Sequence, residues 1–527
     1  MTTWLGKAIL TAVGSAINQW GWLSNEATAL LVNRVVDSTR NRPHPWSTYS
    51  DYTSWRSLTD RTYFARHLPA ANAPVTPAEV DVQMLFKRPE GQQKLSKKST
   101  CLFPAFAQYL TDGFIRTDPT APRRTTSNHE IDLCTLYGRT PDQTRILRLN
   151  NPSAGKKGRL KSQMIGEEEY PPFLFPTGTR VPDPAFNGLD LPLLVSRQTT
   201  PPTAPYPPAD MTQTQVNSIF AVGGDRVNST PFSSMMNTLL LREHNRIAGI
   251  LEGQNPHWDD DRVFETARNI MIPIFIKIVI EQYINHITPL PFNLHADPSI
   301  AWPAKWNRPN WIAVEFSLLY RWHSLMPDDI DWPTGKIPLD RFQRDNTPLL
   351  NVGLDDAFSA ASRQPAAELG AFNTATALLP IEISAVMQAR FNRLDTYNHY
   401  RQAFGMAPAT TFEEISSNPQ VVDLLHQLYG TPDHVEFYPG LFAEDRVADS
   451  PLPGLLMSMV AVDAFSQALT NPLLSAHVFN ASTFTQWGLD FINDTHTLGT
   501  LLGRNVPARG KTTIEMTQAK WKYGNNS

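Results

Sequence analysis

Residues 315–327 place a tyrosine three positions before a histidine, within a largely apolar pattern of helical period. The segment is EFSLLYRWHSLMP, and the three- and four-residue spacing runs from Ile312 to His323, ahead of Pro327. This spacing predicts a helix that ends before the proline. Three residues turn a helix by about 300°, so Tyr320 and His323 should lie on one face, within one turn. A phenol and an imidazole can then share one site.

Two interpretations fit this pair. A neutral imidazole is a common axial ligand of haem iron, and a buried tyrosine beside an oxidised haem can lose an electron and a proton to become a radical. A Tyr-x-x-His pair on an apolar helix is also ordinary core packing, with both polar groups bonded to backbone or water. The spacing alone leaves both open.

Composition indicates a chain with a large interior. Its 527 residues are 41% hydrophobic and 18% charged, which is enough for one large catalytic domain. A net charge of −4 provides no basic surface for nucleic acid, and no zinc-ligand spacing, P-loop or dinucleotide motif is present. Cys101 and Cys134 are the only cysteines, which excludes a disulfide scaffold and favours a cytoplasmic location.

Several motifs together resemble one family. YRWHSLMPD, beginning at Tyr320, resembles the Tyr-x-Trp-His segment of the prostaglandin synthases, a branch of the haem peroxidase superfamily. TLLLREHNRIAGI, at 238–250, resembles a Leu-Arg-Glu-His-Asn-Arg helix that animal haem peroxidases and prostaglandin synthases share. Further matches are YTSWRSL at 52–58, FAQYLTDGFIRTD at 106–118, HEIDLCTLYG at 129–138, IKIVIEQYINHI at 276–287, VEFYPGLF at 435–442 and AFSQAL at 464–469.

The resemblance implies a mainly α-helical fold, a large haem peroxidase- and cyclooxygenase-like domain with haem between central helices and little β structure. It also suggests a homodimer. Animal prostaglandin synthases begin with a disulfide-rich epidermal-growth-factor module, and this chain lacks the cysteines for it. We assign the haem peroxidase-like catalytic domain to residues 46–527.

The N-terminal segment, residues 1–45, has a different character. Residues 4–36 are apolar, nearly free of charge and rich in tryptophan, without a run of about 18 apolar residues that could span a bilayer. Short amphipathic helices in the membrane interface would suit Trp4, Trp20 and Trp22, at the position where prostaglandin synthases carry monotopic membrane-binding helices. The alternatives are a packing helix and a weak secretory signal, with only Lys7 as a nearby positive charge.

The resemblance assigns roles around a haem b group. His323 matches the proximal iron ligand, and Tyr320 matches the tyrosine whose radical abstracts hydrogen from a fatty acid. Trp322 keeps its family identity between them. Tyr283 matches a tyrosine that hydrogen-bonds the radical-forming one, and Tyr438 matches a proximal-side tyrosine linked to the haem ligand, which would fix the tautomer of the imidazole.

The resemblance also outlines a substrate channel. Arg34 lies near where the family places an arginine that pairs with the fatty-acid carboxylate, although Arg40 or Arg42 could take that role. Ser466 stands where prostaglandin synthases have the serine that aspirin acetylates, and its alternative is a helix serine bonded to its own backbone. Other positions that match the channel lining are Tyr283, Ile284, Ile287, Thr288, Phe316, Leu319 and Val462.

The distal side departs from the family. Gln108 matches the distal glutamine, but Asp112 occupies the position of the distal histidine that moves a proton during O–O cleavage. An aspartate with an ordinary pKa near 3.9 is a weak base unless burial raises it, which puts efficient peroxidase turnover in doubt. Arg226 matches the distal arginine of animal peroxidases, which prostaglandin synthases replace, and could polarise a peroxide or neutralise Asp112.

Two further departures concern product and cofactor. Val462 replaces a glycine near the channel bend, and Leu290 replaces a tyrosine at the channel mouth. The narrowed tube should hinder the coiling that an endoperoxide requires, so a simple hydroperoxide is expected. We expect non-covalent haem, because Thr111, Ser229 and Thr230 stand where mammalian peroxidases have residues that bond covalently to haem. We also expect no family calcium site, because Gly113 replaces a calcium-binding aspartate, although Asp132 of that loop remains.

The sequence thus predicts a haem-dependent fatty-acid dioxygenase. A radical at Tyr320 abstracts hydrogen from an unsaturated fatty acid, and O₂ adds to give a hydroperoxide. The alternative is a haem peroxidase that oxidises small reductants, which Arg226 favours and Asp112 disfavours. A third class, a haem-binding protein without turnover, follows if Asp112 abolishes activation. The protein is expected in the cytoplasm, with peripheral membrane contact through residues 1–45.

Overall fold

Helices make up most of the regular structure, which confirms the predicted mainly α-helical fold. The computed structural model describes residues 13–15, 17–37, 46–193, 206–506 and 513–524. The first helices are α1 (Gly21–Asp37), α2 (Trp55–Thr59), α3 (Glu79–Phe86), α4 (Leu102–Phe114), α5 (Cys134–Tyr137), α6 (Pro141–Leu147), α7 (Gln213–Asn217), α8 (Pro231–Gln254) and α9 (Asp260–Ile278). A π-helical turn, Val279–Ile284, leads into α10 (Asn285–Ile287).

The later part of the chain is also mainly helical. Its helices are α11 (Val314–Leu319), α12 (Leu339–Phe342), α13 (Thr347–Arg363), α14 (Leu379–Phe391), α15 (Tyr397–Ala403), α16 (Pro419–Tyr429), α17 (Phe437–Ala443), α18 (Gly454–Leu469), α19 (Ala481–Asn493) and α20 (Leu498–Asn505).

The strands that the structure describes are short and form antiparallel pairs. They are β1 (Leu95–Thr100) with β6 (Pro365–Ala367), β2 (Gln163–Ile165) with β3 (Glu168–Tyr170), and β4 (Asp329–Trp332) with β5 (Gly335–Pro338). Paired strands of this size fasten loops and do not form a layer of the core, so the expectation of little β structure is confirmed.

The core is built around α8 and α9, which pack against each other, while α4 and α13 pack on α8. Almost the whole of α8 is buried, including the polar residues of its LREHNR motif. Buried polar groups need partners. His244 provides an example, because its two ring nitrogens lie 3.0 Å from the Tyr137 hydroxyl and 2.9 Å from the Gly158 carbonyl oxygen. The motif therefore holds surrounding loops on the central helix.

The helix predicted between Ile312 and Pro327 is shorter in the structure. α11 ends at Leu319, Tyr320 has φ −99° and ψ 21°, and a 3₁₀ turn begins at His323. Trp322, with φ −93° and ψ 42°, lies in the break. The prediction that tyrosine and histidine share one helical face is wrong, because the indole of Trp322 packs as a flat ring against neighbouring aromatic rings and this packing overrides the helical period.

Near the N-terminus, α1 packs along α18. Its buried residues recur every four positions, at Ser24, Thr28, Val32 and Val36, which is the pattern of a helix with one packed face. The opposite side carries exposed apolar groups, Trp22 and Leu30, which are 64% and 75% exposed, and Trp20, the residue before α1, is 57% exposed.

The structure shows α1 as a packing helix along α18, and its contact with a membrane stays a prediction. Trp4, Lys7, Arg40 and Arg42 lie outside the described residues. Within the described ranges, no helix has both the length and the apolar character needed to cross a bilayer. The domain division at residue 45 stays a prediction.

Candidate active site

Tyr320 lies among aromatic rings at the end of α11. Its ring stacks on that of Trp322, with centroids 5.0 Å apart, and meets the edge of Phe316 at 4.9 Å. Burial and the negative charge of Asp463 raise the pKa of Tyr320 far above its ordinary value. The phenol therefore keeps its proton at neutral pH, and it can lose an electron only if the proton leaves as well.

Tyr283 is brought to the same cluster by the π-helical turn after α9. Its ring is stacked 6.3 Å from Trp322 and 5.5 Å from Phe103, and its hydroxyl is buried. Burial and the neighbouring phenol of Tyr320 raise the pKa of Tyr283 well above its usual range. The two tyrosines predicted to interact are therefore neighbours. π turns are frequent at functional sites, because the extra residue redirects a side chain without ending the helix.

His323 faces away from this cluster, toward α14. Its side chain is 18% exposed, and its Nδ1 lies 3.2 Å from Oε1 of Glu382, a residue that is almost fully buried. The Glu382 carboxylate also accepts hydrogen bonds from the Tyr438 hydroxyl at 2.5 Å and from the Thr374 hydroxyl at 3.0 Å. Tyr438 is therefore linked to the predicted iron ligand through a carboxylate, and Nε2 is the imidazole nitrogen left for a metal.

Asp112 and Gln108 are one turn apart on α4. Asp112 is 4% exposed, and its Oδ1 lies 3.6 Å from Nη1 of Arg226. Arg226 also donates to the Ile115 carbonyl oxygen at 3.1 Å, and Gln108 donates to the Ser229 hydroxyl at 2.6 Å. The three predicted distal residues thus converge where α4 meets the turn that precedes α8.

Burial raises the pKa of Asp112 to about 7, although the positive charge of Arg226 opposes the shift and that of Asp225 adds to it. From the sequence, Asp112 is expected to be a useful base only if burial raises its pKa. The structure meets this condition. Oδ2 of Asp112 has no hydrogen-bond partner among the residues described. An unpaired carboxylate oxygen with a pKa near neutrality is suited to accepting and returning a proton.

Arg321 joins the two polar clusters. Its guanidinium is buried, which lowers its pKa, and it lies within electrostatic reach of Asp112 and Arg226 on one side and of Glu382 and Tyr438 on the other. Its Nη2 donates to Gln388 at 3.3 Å. The distal and proximal residues therefore border one region of the molecule.

The chemistry of this region fits a haem group. His323 offers a nitrogen ligand, and apolar rings line one flank. Buried polar atoms without a hydrogen-bond partner in the described part of the chain surround it: Asp112 Oδ2, Arg321 Nε and Trp322 Nε1. Buried polar groups in native proteins are normally satisfied, so such atoms indicate that a polar group belongs between them. The carboxylates of a haem group and a ligand bound to its iron would supply such a polar group.

The predicted channel residues lie on α11, α18, α10 and the π turn, and α18 packs against both α11 and the π turn. Phe316, Leu319, Ile284, Ile287 and Val462 are buried, and Thr288 follows α10 at the edge of the group. Ser466 is also buried, and its hydroxyl donates to the backbone carbonyl oxygen of Val462 at 2.6 Å. The backbone-bonded interpretation of this serine therefore describes its contact in the structure.

Arg34 is exposed in the last turn of α1, on a helix that packs against α18. This places the guanidinium at the surface beside the element that carries Val462 and Ser466. Its pairing with a carboxylate stays a prediction.

Three buried acids, Glu382, Asp463 and Glu315, are absent from the roles predicted from the sequence. Glu382 lies in the apolar run LLPIEISAV, and an isolated acidic residue in such a run is the signal that could have found it. Asp463 contacts His67 at 2.9 Å, and both side chains are buried. Glu315 extends this second cluster by accepting hydrogen bonds from the His67 backbone and from Tyr400. These partners come from distant parts of the chain, so local patterns could not pair them.

Asp132 accepts hydrogen bonds from the Cys134 backbone at 2.9 Å and from Asn128 at 2.6 Å. Within the described residues, no three or more histidine, cysteine, aspartate or glutamate side chains gather as a metal site. The expectation about calcium stays a prediction, and so does that of non-covalent haem.

Comparison with known proteins identifies the family of this chain. The animal haem peroxidase family model matches residues 113–517. Prostaglandin G/H synthase 2 from Equus caballus is 30% identical, over 94% of this chain and 79% of the relative. Prostaglandin G/H synthase 1 from Mus musculus is also 30% identical, over 88% of this chain and 75% of the relative.

Solved structures share the fold at lower sequence identity. Fatty acid alpha-dioxygenase from Oryza sativa has a TM-score of 0.68 and 14% identity, covering 98% of each chain. Peroxidase A from Dictyostelium discoideum has a TM-score of 0.66 and 18% identity, covering 87% of this chain and 95% of its own. The chain thus belongs to the animal haem peroxidase family, in the branch of the prostaglandin G/H synthases, and is a haem oxidoreductase of the dioxygenase class.

Proposed function

We propose that this protein is a haem-dependent fatty-acid dioxygenase that works through a tyrosyl radical at Tyr320. The observation that carries the proposal is the different surroundings of Tyr320 and His323. The ring of Tyr320 packs against the rings of Phe316 and Trp322, whereas the imidazole three residues later contacts a buried carboxylate. An apolar environment suits an aliphatic substrate, and a polar one suits a metal ligand.

The relatives support a fatty acid as the substrate class. The solved rice protein is a fatty acid alpha-dioxygenase, and one of its variants was solved with palmitic acid. The prostaglandin G/H synthases are the relatives with the higher sequence identity. A fatty acid is therefore the substrate class that we propose, and the addition of one O₂ to an unsaturated acid is the proposed reaction.

Each residue has a defined task. Haem held by His323 would supply the oxidising equivalent that removes an electron from Tyr320. The Tyr320 radical then takes a hydrogen atom from a C–H group of the fatty acid, and O₂ adds to the carbon radical that remains. The resulting peroxyl radical takes a hydrogen atom back from Tyr320. The product is a hydroperoxide, and the tyrosyl radical is regenerated for the next cycle.

Asp112 would activate the peroxide that starts the cycle. Its carboxylate takes a proton from one peroxide oxygen and returns it to the leaving oxygen, while Arg226 and Gln108 orient the peroxide. The raised pKa of Asp112 supports this role, because a base with a pKa near the working pH can both accept and return the proton. Leu290 and Val462 keep the channel narrow, so the peroxyl radical takes hydrogen from Tyr320 before it can cyclise.

A peroxidase that oxidises small reductants is the second candidate. The pairing of Arg226 with Asp112 favours it, because these residues occupy the distal side and His323 is partly exposed. This activity does not need Tyr320, which separates it from the dioxygenase.

Oxygen uptake by the haem-loaded protein tests the proposal. Wild type should consume O₂ with linoleate, oleate or arachidonate after a trace of hydroperoxide, and Tyr320→Phe should abolish this uptake. Tyr429→Phe is a matched control, since Tyr429 is buried and bonded to Glu436 away from the site. Loss in both variants, or uptake by Tyr320→Phe, would reject the radical role of Tyr320. Peroxide-dependent dye oxidation that survives in Tyr320→Phe while wild type consumes no O₂ would favour the peroxidase.

Membrane contact and homodimer formation are further proposals. Trp20 and Trp22 are exposed at the start of the helical segment that carries Arg34 in its last turn, and these tryptophans support a surface that rests on a bilayer.

A further inference from the structure

Glu382 receives contacts from three groups at once. Its Oε1 lies 3.2 Å from His323 Nδ1 and accepts the Thr374 hydroxyl at 3.0 Å, while its Oε2 accepts the Tyr438 hydroxyl at 2.5 Å. Glu382 is 2% exposed, so water does not compete for the carboxylate. Burial and the neighbouring carboxylate raise the pKa of Tyr438 well above its usual range, and the phenol therefore acts as the donor.

Nδ1 of His323 has no hydrogen-bond partner of good geometry in the described residues, and Glu382 is the acid beside it. The distance is already that of a hydrogen bond, so only the orientation of the imidazole separates this contact from one. When Nε2 binds a metal, Nδ1 carries the proton, and a carboxylate acceptor draws that proton away from the ring. The imidazole then becomes a stronger electron donor to the metal.

We propose that Glu382 is a positioning residue that sets the electron donation of His323 to haem iron, and that Tyr438 and Thr374 limit its effect. The inference rests on the proposed role of His323 as the iron ligand. Both hydroxyls bond the same carboxylate that faces the imidazole. Each bond spreads the negative charge of Glu382 over another donor and leaves less of it for the Nδ1 proton.

A purely structural role for Glu382 makes a different prediction. In that case the carboxylate only satisfies the buried hydroxyls of Tyr438 and Thr374, and any of the three substitutions would loosen the same packing. Electronic control instead predicts opposite signs. Removing the carboxylate charge weakens the iron–histidine bond, whereas removing a competing hydroxyl strengthens it.

The test measures the Fe(III)/Fe(II) midpoint potential and the iron–histidine stretching frequency of the haem-loaded ferrous protein. Glu382→Gln should shift the potential upward and lower the stretching frequency. Tyr438→Phe and Thr374→Val should shift both quantities in the opposite directions. Tyr429→Phe is the control, because Tyr429 donates at 3.0 Å to another buried glutamate, Glu436, and it should change neither quantity.

The inference would be overturned if Glu382→Gln and Tyr438→Phe shifted the midpoint potential in the same direction, or if neither variant shifted it. If Glu382→Gln does not fold, Thr374→Val still decides the test. A midpoint potential of Thr374→Val that is equal to or higher than that of wild type would also overturn the inference. His323→Gly separates this result from the proposed function. If the iron–histidine band persists in that variant, His323 is not the ligand and the proposed function fails. If the band disappears while the Glu382 series is flat, only the role of Glu382 fails.

Discussion

Asp112 illustrates how much of the chemistry is decided by the surroundings of single side chains. In the sequence it replaces a histidine and looks like a poor base, but the fold buries it and raises its pKa to about 7. Glu382 is a second case, since its importance follows from a histidine and a tyrosine that are distant in sequence. The identities of Tyr320 and His323 could be predicted from a motif, whereas burial and long-range partners could not.

Asp112→Asn should remove the proton acceptor of peroxide activation. We expect peroxide-dependent oxidation of a dye to fall by about 10²- to 10⁴-fold, the usual effect of losing a general acid–base group. In wild type the rate should rise with pH through about 7, as the carboxyl loses its proton, and this limb should be absent in the variant. Rates of both proteins across pH 5–9 provide the measurement, and unchanged rates would make Asp112 a bystander.

The same substitution should change the pH dependence of stability. The pKa of Asp112 is raised from 3.8 in the unfolded chain to about 7 in the fold. Between these values the folded state binds more protons, so the contribution of Asp112 to stability falls as pH rises, by about 1.4 kcal/mol per pKa unit. Compared with Asp112→Asn, wild type should lose a few kcal/mol between pH 4 and 7. Denaturant unfolding of both proteins at several pH values measures the difference, and parallel curves would contradict the assignment.

At the scale of elements, the break after α11 is where local pattern and tertiary packing disagree. The helical period extends through His323, but the chain leaves the helix at Tyr320 so that Trp322 can stack between Tyr320 and Tyr283. The buried helix with the LREHNR motif was predictable, because its pattern and its packing agree. The π turn that carries Tyr283 has no such signal, since one extra residue in a helix leaves the apolar pattern nearly unchanged.

The face of α18 beside α11 should control how many O₂ molecules are added. Val462→Gly should widen the channel and allow arachidonate to consume more than one O₂ per molecule. It should also destabilise the fold by about 2–4 kcal/mol, through the lost side chain and the added glycine in a helix. Val460→Gly is the matched control, because Val460 is buried two positions earlier on the same helix and points elsewhere. Oxygen stoichiometry and product mass give the result, and equal stoichiometry in both variants would reject the channel role of Val462.

At the scale of the whole molecule, a helical core holds the site while α1 offers an apolar surface outside it. The mainly α-helical architecture was predictable from the resemblance of ordered motifs along the chain. The placement of α1 against α18 was not, because its buried face uses small polar residues as well as valines.

Membrane contact can be tested on the surface of α1 and the residue before it. Replacing Trp20 and Trp22 together by serine should lower binding to vesicles of phosphatidylcholine and phosphatidylglycerol several-fold, because two large exposed rings are lost. Met164→Ser is the control, since Met164 is similarly exposed in β2. Co-sedimentation with vesicles measures the change, and equal binding by wild type and the double variant would remove this surface from the proposal.

The break at Trp322 also separates the surroundings of Tyr320 from those of His323. The indole ring of Trp322 covers the phenol of Tyr320 within the aromatic cluster, whereas the imidazole of His323 contacts Glu382 outside that cluster. In the proposed dioxygenase, a water-soluble antioxidant such as ascorbate would consume peroxide at the haem edge without meeting the radical on Tyr320. Such a compound should lengthen the lag before oxygen consumption starts and leave the later steady rate nearly unchanged.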